Sequence, residues 1–178
     1  MNRRIVSALL LSALFCVTAS LNAQEISFGV GAGWGRVSCD VCQTSRDLGP
    51  TAYVRFARVL NPSVRVGGEA TAWTHEVEDE RENLAAVMAV LTLQPPRRPL
   101  FVKAGVGYVG YRAGEDISLN SIGMQVGGGY ELRLGGLAIS NYVNVISSSF
   151  GSLKNESTTI ANDVSTTLLQ LGVGVTIK

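Results

Sequence analysis

Apolar and polar residues alternate one by one along most of this chain. The clearest case lies close to the C-terminus, where Leu169, Leu171 and Val173 alternate with glutamine and glycine. Side chains at positions i and i+2 lie on the same side of a β-strand, so such a segment has one apolar and one polar face. The alternation predicts eight strands: 26–38, 50–60, 64–75, 83–94, 100–113, 121–134, 137–149 and 166–178. In 50–60 and 83–94 the pattern is too irregular to assign the two faces.

The length of these segments favours a membrane protein. Each has about 11 to 14 residues, whereas strands of soluble proteins usually have ~5–6 and tilted membrane-spanning strands need ~9–11. After the N-terminal region, no segment has the ~20 consecutive apolar residues of a transmembrane helix. The pattern therefore predicts an all-β protein, an eight-stranded antiparallel up-and-down transmembrane β-barrel.

The polar face of the segments indicates which side is enclosed. A water-soluble barrel needs many charges on its outer face, but here the polar face consists mainly of glycine with a few charges and amides. Such a face suits the lumen of an eight-stranded barrel, which side chains can fill. Opposite charges could pair there and plug the lumen. The predicted lumen network comprises Arg55, Arg65, Glu69, Lys103, Gln125, Glu131, Arg133, Asn144 and Gln170.

The connections between the segments alternate in length. They are short after the second, fourth and sixth segments (61–63, 95–99 and 135–136) and longer and more polar after the others (39–49, 76–82, 114–120 and 150–165). Outer-membrane barrels have short turns on the periplasmic side and long loops outside. We therefore expect both termini in the periplasm and four outward loops.

Aromatic residues offer a weaker indication of the membrane boundaries. Phe28 and Trp34 lie six residues apart in the first segment, and Phe101, Tyr108 and Tyr111 lie in the fifth. Aromatic side chains often form girdles at both membrane interfaces. We expect these five side chains to contribute to such girdles.

The N-terminus has the pattern of an export signal. Arg3 and Arg4 precede an apolar run over 5–17, and small Ala23 is followed by polar residues. This order is typical of a cleaved signal peptide, because the apolar run is too short to span a bilayer. Cys16 does not indicate a lipoprotein, since bulky Phe15 precedes it. The predicted organisation is a signal peptide, 1–23, and an outer-membrane barrel domain, 24–178.

Composition and charge exclude two other classes. Charged residues make up only 16% of the chain and the formal net charge is +1. The low charge argues against a disordered chain and offers no basic footprint for nucleic acid. Cys39 and Cys42 have a C-x-x-C spacing, for which we favour a loop disulfide over redox chemistry or half of a zinc site. We expect no metal and no cofactor.

Catalytic chemistry has few candidates in this sequence. The one histidine, His75, could act on Ser147, Ser148 or Ser149 only if the fold brings them together. The acidic run of Glu76, Glu78, Asp79, Glu80 and Glu82 lacks the spacing of an EF-hand loop, and a solvated loop is the simpler interpretation. We expect a protein that is not an enzyme.

The glycine-rich strands resemble those of a known superfamily. The segments FGVGAGWG, FVKAGVGYVGYRAG, MQVGGGYELRL and LLQLGVGVTIK are similar to strands of the small outer-membrane β-barrels, which include OmpA transmembrane domains and OmpX-like proteins. The resemblance covers 24–178 and implies insertion by the outer-membrane assembly machinery. Many members end in an aromatic residue, whereas this chain ends in Lys178.

These observations predict a non-catalytic bacterial outer-membrane barrel with a structural or surface-interaction role. Its expected partners are outer-membrane lipid, lipopolysaccharide and the assembly machinery, with an unknown loop ligand, no nucleic acid, and a monomer as the oligomeric state. A narrow pore or small-molecule conduit is the first alternative. A lipid A-modifying enzyme that depends on His75 is the second.

Overall fold

The computed structural model describes residues 26–39, 48–77, 80–114, 117–155 and 158–177, and they form eight β-strands. The predicted signal peptide and Cys42, Glu78 and Asp79 lie outside the described residues. Within the described part, no helix is long and apolar enough to cross a membrane. The strands are β1 (Ile26–Cys39), β2 (Leu48–Asn61), β3 (Val64–Val77), β4 (Glu80–Leu93), β5 (Leu100–Ala113), β6 (Ile117–Leu134), β7 (Leu137–Asn155) and β8 (Thr158–Ile177).

The strands form a closed antiparallel barrel in which each strand pairs with its neighbours in sequence and β8 pairs with β1. The predicted strand number and up-and-down connectivity are therefore confirmed. Following the paired residues once around the barrel from Gly29 leads back to β1 at Cys39, ten residues further along. Such a stagger means that the strands are tilted against the barrel axis, as closure requires.

The short connections close one end of the barrel, which we call the turn end. In the first turn, the Asn61 side-chain oxygen accepts a hydrogen bond from the Ser63 backbone at 2.9 Å. Gly135 begins the Gly-Gly turn between β6 and β7 with φ 66°, a backbone conformation that glycine adopts without steric cost. The opposite end, where β1 ends and β2 begins, is the loop end.

Several strands are longer than predicted at the loop end. The predicted loop over 150–165 is wrong for most of its length, because β7 continues to Asn155 and β8 begins at Thr158. The predicted loops over 76–82 and 114–120 are likewise shortened by β3, β4 and β6. Serine, threonine and asparagine make the 150–165 segment polar, but these side chains can bond across the strands: the Ser152 hydroxyl donates to the Asn162 side-chain oxygen at 3.3 Å.

Apolar side chains cover the outer surface of the barrel. Each strand contributes exposed large apolar residues at alternate positions, for example Val30, Val54, Val66, Val87, Val106, Met124, Val143 and Val173. The two faces left unassigned in the sequence are now clear: Tyr53 in β2 and Leu84 in β4 point inward and are buried. We call the exposed face the outward apolar band.

The aromatic expectation is partly wrong. Phe28, Trp34 and Tyr108 face outward and are about half exposed or more, but Phe101 and Tyr111 are buried in the lumen. Phe101 and Tyr111 share the inward face of β5 with Lys103, because side chains two residues apart point the same way. They therefore help to fill the barrel and do not belong to an interfacial girdle.

Candidate functional site

The lumen is filled in three successive layers. Along β3, which runs from the turn end to the loop end, the inward residues Arg65, Glu69 and Trp73 belong to one layer each. The strand β6 runs the opposite way and passes the same layers at Leu119, Gln125 and Glu131. We call the layers the turn-end cluster, the central cluster and the apolar plug.

The central cluster is built around the carboxylate of Glu69. Arg55, its cross-strand neighbour on β2, donates from Nε at 2.7 Å, with Nη2 at 2.6 Å from the same oxygen. Lys103 on β5 reaches it with Nζ at 2.6 and 2.9 Å from the two oxygens. The Gln125 amide on β6 donates a further short hydrogen bond. The single negative charge of Glu69 thus lies between two positive charges, which belong to different strands.

A chain of amides continues from this carboxylate to the wall formed by β7 and β8. Gln125 donates to Asn144 at 3.1 Å, Asn144 to Gln170 at 3.3 Å, and Gln170 to the Tyr142 hydroxyl at 3.1 Å. The Tyr142 ring lies edge-on to Tyr53 at 5.1 Å, and the Lys103 ammonium lies 5.6 and 5.8 Å from the two ring centres. Hydrogen-bonded polar side chains therefore extend across the lumen from Glu69 on β3 to Tyr142 on β7.

Glycines on the inward face make room for these tyrosines. A Cβ atom at Gly172 would lie 2.6 Å from the Tyr142 hydroxyl, and one at Gly174 would overlap the Tyr53 hydroxyl. The glycine-rich face that indicated the lumen in the sequence thus has a packing reason here: large rings occupy the space that the missing side chains leave.

The turn-end cluster is built around a second carboxylate, that of Glu131. Arg65 approaches both of its oxygens, with Nη2 at 3.1 and 3.3 Å, and Arg133 donates from Nε at 3.3 Å. Gln94 accepts hydrogen bonds from both arginines, from Arg133 at 2.7 Å. Arg65 and Glu131 are buried, whereas the Arg133 side chain is 47% exposed at the mouth. Again one carboxylate lies between two cations.

The apolar plug fills the lumen on the loop side of the central cluster. It contains large side chains from most strands, several of them with almost no exposed surface. Its members are Val37, Cys39, Trp73, Leu84, Ala86, Met88, Val90, Val109, Tyr111, Leu119, Ile146, Val164 and Leu168. Apolar side chains therefore fill much of the lumen on the loop side along the described strands, beside buried polar residues such as Thr71, Ser148 and Thr166.

All nine residues of the predicted lumen network lie in the two polar layers. Sequence reasoning missed Gln94, Tyr53, Tyr142 and the whole apolar plug. Tyr53 lies in 50–60 and Gln94 in 83–94, the two segments whose irregular alternation did not allow the inward face to be assigned. The parity of Arg55, two residues after Tyr53, would have placed Tyr53 correctly.

The remaining candidate residues have other contacts in the described part of the chain. His75 stacks on Trp73, with ring centres 5.9 Å apart. Ser148 is buried and donates to the Thr166 carbonyl at 3.4 Å. In the described residues, no three His, Cys, Asp or Glu side chains are grouped so that they could hold a metal ion. Cys39 is disulfide-bonded, and its predicted partner, Cys42, lies outside the described residues.

A closed eight-stranded antiparallel barrel with a filled lumen defines a class of small β-barrel proteins, and solved structures of this fold match the chain. Neisserial surface protein A (NspA) has a TM-score of 0.66 at 15% identity, covering 88% of this chain and 99% of that one. Ail, the attachment invasion locus protein of Yersinia pestis, has a TM-score of 0.56 at 14% identity, covering 86% and 99%.

A second structure of Ail, in complex with the heparin analogue sucrose octasulfate, gives a TM-score of 0.57 at 16% identity, with 86% and 99% covered. No family model matches the chain, and no curated protein does. At this level of identity, the matches establish the fold.

Proposed function

We propose that the chain is a non-catalytic outer-membrane barrel protein with a structural or surface-interaction role. The observation that carries this proposal is the distribution of polarity: the charges in the middle of the barrel, such as Glu69 and Lys103, are enclosed in the lumen, and every strand exposes large apolar side chains on its outer face. In water, so large an apolar surface would promote aggregation. In a bilayer it is the surface that a spanning barrel needs, since hydrocarbon surrounds it.

The N-terminal export pattern supports a location in the outer membrane. A protein with the expected signal peptide over 1–23 would reach the periplasm, where the outer-membrane assembly machinery acts. Membrane fractionation combined with gel migration before and after boiling tests this location. We expect the mature protein in the outer-membrane fraction, with a band that shifts on boiling. Recovery as a soluble periplasmic protein whose Leu171 and Val173 are protected from solvent would contradict the proposal.

Outward arginines at the loop end support contact with lipopolysaccharide. Arg36 is exposed at the next outward position after Trp34, and Arg81 and Arg112 are exposed at the same end of β4 and β5. Arginine binds phosphate with paired hydrogen bonds, and the phosphate groups of lipopolysaccharide lie at this level of the outer leaflet. NspA is named as a surface protein and Ail as an attachment protein, which agrees with a role at the cell surface.

The lipopolysaccharide contact is tested by replacing the three arginines with glutamine and measuring the lipopolysaccharide that co-purifies with the protein. We expect the triple variant to retain much less than the wild type. The matched control replaces Arg97 and Arg98, which are exposed at the turn end and should not affect lipopolysaccharide. Equal retention by both variants would remove this part of the proposal.

The filled lumen favours a closed barrel over a pore. The apolar plug occupies the loop side, and two ion-paired clusters occupy the rest. Planar-bilayer recordings of the purified protein should therefore give no steady current. A steady current that is lost on changing Arg55, Glu69 or Glu131 would favour the conduit instead. Lipid A that stays the same on expression, with or without His75→Ala, would exclude the enzymatic alternative.

A further inference from the structure

One polar side chain interrupts the outward apolar band far from either end. Asn141 is exposed on the outer face of β7, between buried Ser140 and Tyr142. The outward positions on either side of it are all apolar: Leu137 and Ile139 towards the turn end, Val143 and Val145 towards the loop end. With ~3.3 Å per residue and tilted strands, Asn141 lies roughly 10 Å from each edge of an apolar band ~25 Å tall.

The Asn141 carboxamide is only partly satisfied within its own chain. Its oxygen accepts a hydrogen bond from the Tyr130 backbone at 3.2 Å, while its Nδ2 group donates to no atom of the described residues. A carboxamide has two donors and two acceptor positions, so both donors and one acceptor position remain. In hydrocarbon, a donor without a partner is costly, and the lipid head groups are too distant in depth to supply an acceptor.

The surface around Asn141 allows another protein to come close. It is a shallow groove whose floor includes Gly129 and Gly172, with Leu100 and Leu171 at its sides. Gly128, the outward position two residues before Tyr130 on β6, has no side chain. Small residues of this kind are typical of contacts between membrane-spanning segments, because they let the backbones approach.

From these observations we propose that this face of β6, β7 and β8 binds a second copy of the same chain, with the two Asn141 carboxamides bonded to each other. A carboxamide is self-complementary, so a twofold axis beside Asn141 lets each Nδ2 donate to the partner's oxygen. Among the other outward polar residues of the described part of the chain, Ser147 and Thr167 contact each other at 3.2 Å, and Arg58 is a further one. It lies near the turn end, where its long side chain can extend to the interface.

The proposed dimer replaces the sequence-based expectation of a monomer, and it rests on the proposed membrane location. Sedimentation equilibrium of the mature protein in a density-matched detergent measures it directly. We expect the wild type to associate as the ratio of protein to detergent rises. Asn141→Val should associate about tenfold more weakly, the size expected for two reciprocal hydrogen bonds in a membrane. Val143→Leu, which changes the next outward side chain without removing a polar group, should associate like the wild type.

Crosslinking in native membranes provides the second measurement. Val143→Cys should form a disulfide-linked dimer on mild oxidation, and adding Asn141→Val should reduce it. Val66→Cys, on the opposite wall of the barrel, should not crosslink. Heat-dependent gel migration shows for each variant that the barrel is inserted. A wild type that stays monomeric while inserted, or an Asn141→Val variant that associates as tightly, would overturn the dimer alone. Loss of the membrane location itself would instead contradict the proposed function.

Discussion

The two halves of the lumen solve the same packing problem with opposite chemistry. On the turn side, two carboxylates, Glu69 and Glu131, each lie between two cations. On the loop side, the aliphatic and aromatic side chains of the apolar plug fill much of the lumen, beside a few buried hydroxyl groups such as that of Ser148. Strand β3 passes through both halves and keeps one alternation throughout, so the pattern of inward and outward positions is common to both.

The difference indicates what each half contributes. Apolar packing tolerates changes of similar volume, whereas loss of the carboxylate from an enclosed ion cluster is costly, because the enclosed cations would remain without compensation. In the ion clusters, the loss of one carboxylate should therefore lower the free energy of unfolding strongly. They also connect strands that are not neighbours: Glu69 on β3 reaches Lys103 on β5, and Arg65 on β3 reaches Glu131 on β6. Such contacts favour one arrangement of the strands around the barrel.

The largest effect should come from Glu69→Gln. This change keeps the shape of the side chain but leaves Arg55 and Lys103 enclosed without a counter-charge, which should cost about 3–5 kcal/mol of the free energy of unfolding. Urea unfolding in lipid vesicles, followed by tryptophan fluorescence, measures it. Glu76→Gln is the matched control, since Glu76 is exposed on the same strand. Equal stability of the two variants would mean that the central cluster is not the critical contact described above.

The apolar half should respond less strongly and in a different way. Leu168→Ala leaves a cavity in the plug, because Leu168 is fully buried, and we expect a loss of about 3 kcal/mol. Leu169→Ala, at the neighbouring outward position, leaves no cavity and should cost clearly less. Since both ion clusters still close the turn side, Leu168→Ala should remain without conductance in planar bilayers. A steady current from this variant would show that the plug is the only seal.

The turn-end cluster should be less sensitive than the central one. In Glu131→Gln, Arg133 can turn its half-exposed side chain to water, so that Arg65 alone remains enclosed, next to Gln94. We expect a loss of about 2 kcal/mol, the scale of a hydrogen bond to a charged group. The same unfolding experiment compares it with Glu69→Gln. If Glu131→Gln were the more damaging, the order of importance of the two clusters would be reversed.

The smallest effect should come from Arg133→Gln. The Arg133 side chain is 47% exposed, and an exposed ion pair contributes at most about 1 kcal/mol. We expect a change in unfolding free energy within that limit, and a smaller one at high salt, because salt screens exposed charges. A large loss that salt does not alter would place Arg133 among the enclosed charges.

The inward residues could be identified from sequence where apolar and polar residues alternate regularly. In the strands with irregular alternation they could not. In β6, the strict alternation around Gln125 and Glu131 assigned both residues to the lumen. In β4, inward Leu84 and Met88 are as apolar as outward Val87 and Leu91, so polarity gives no indication of side. That is why the β4 members of the apolar plug were missed, and why Gln94 was not assigned to the turn-end cluster.

The sequence by itself determined the number of strands, their order, the side that carries the charges and the end that carries the short turns. These properties are local, because a strand repeats every two residues and a tight turn needs particular residues. Only the tertiary structure decided that Glu69 meets Lys103, that Phe101 and Tyr111 point inward, and that Asn141 faces the band with unused donors. Partners across a lumen depend on the ten-residue stagger with which the barrel closes, and that stagger is a property of all eight strands together.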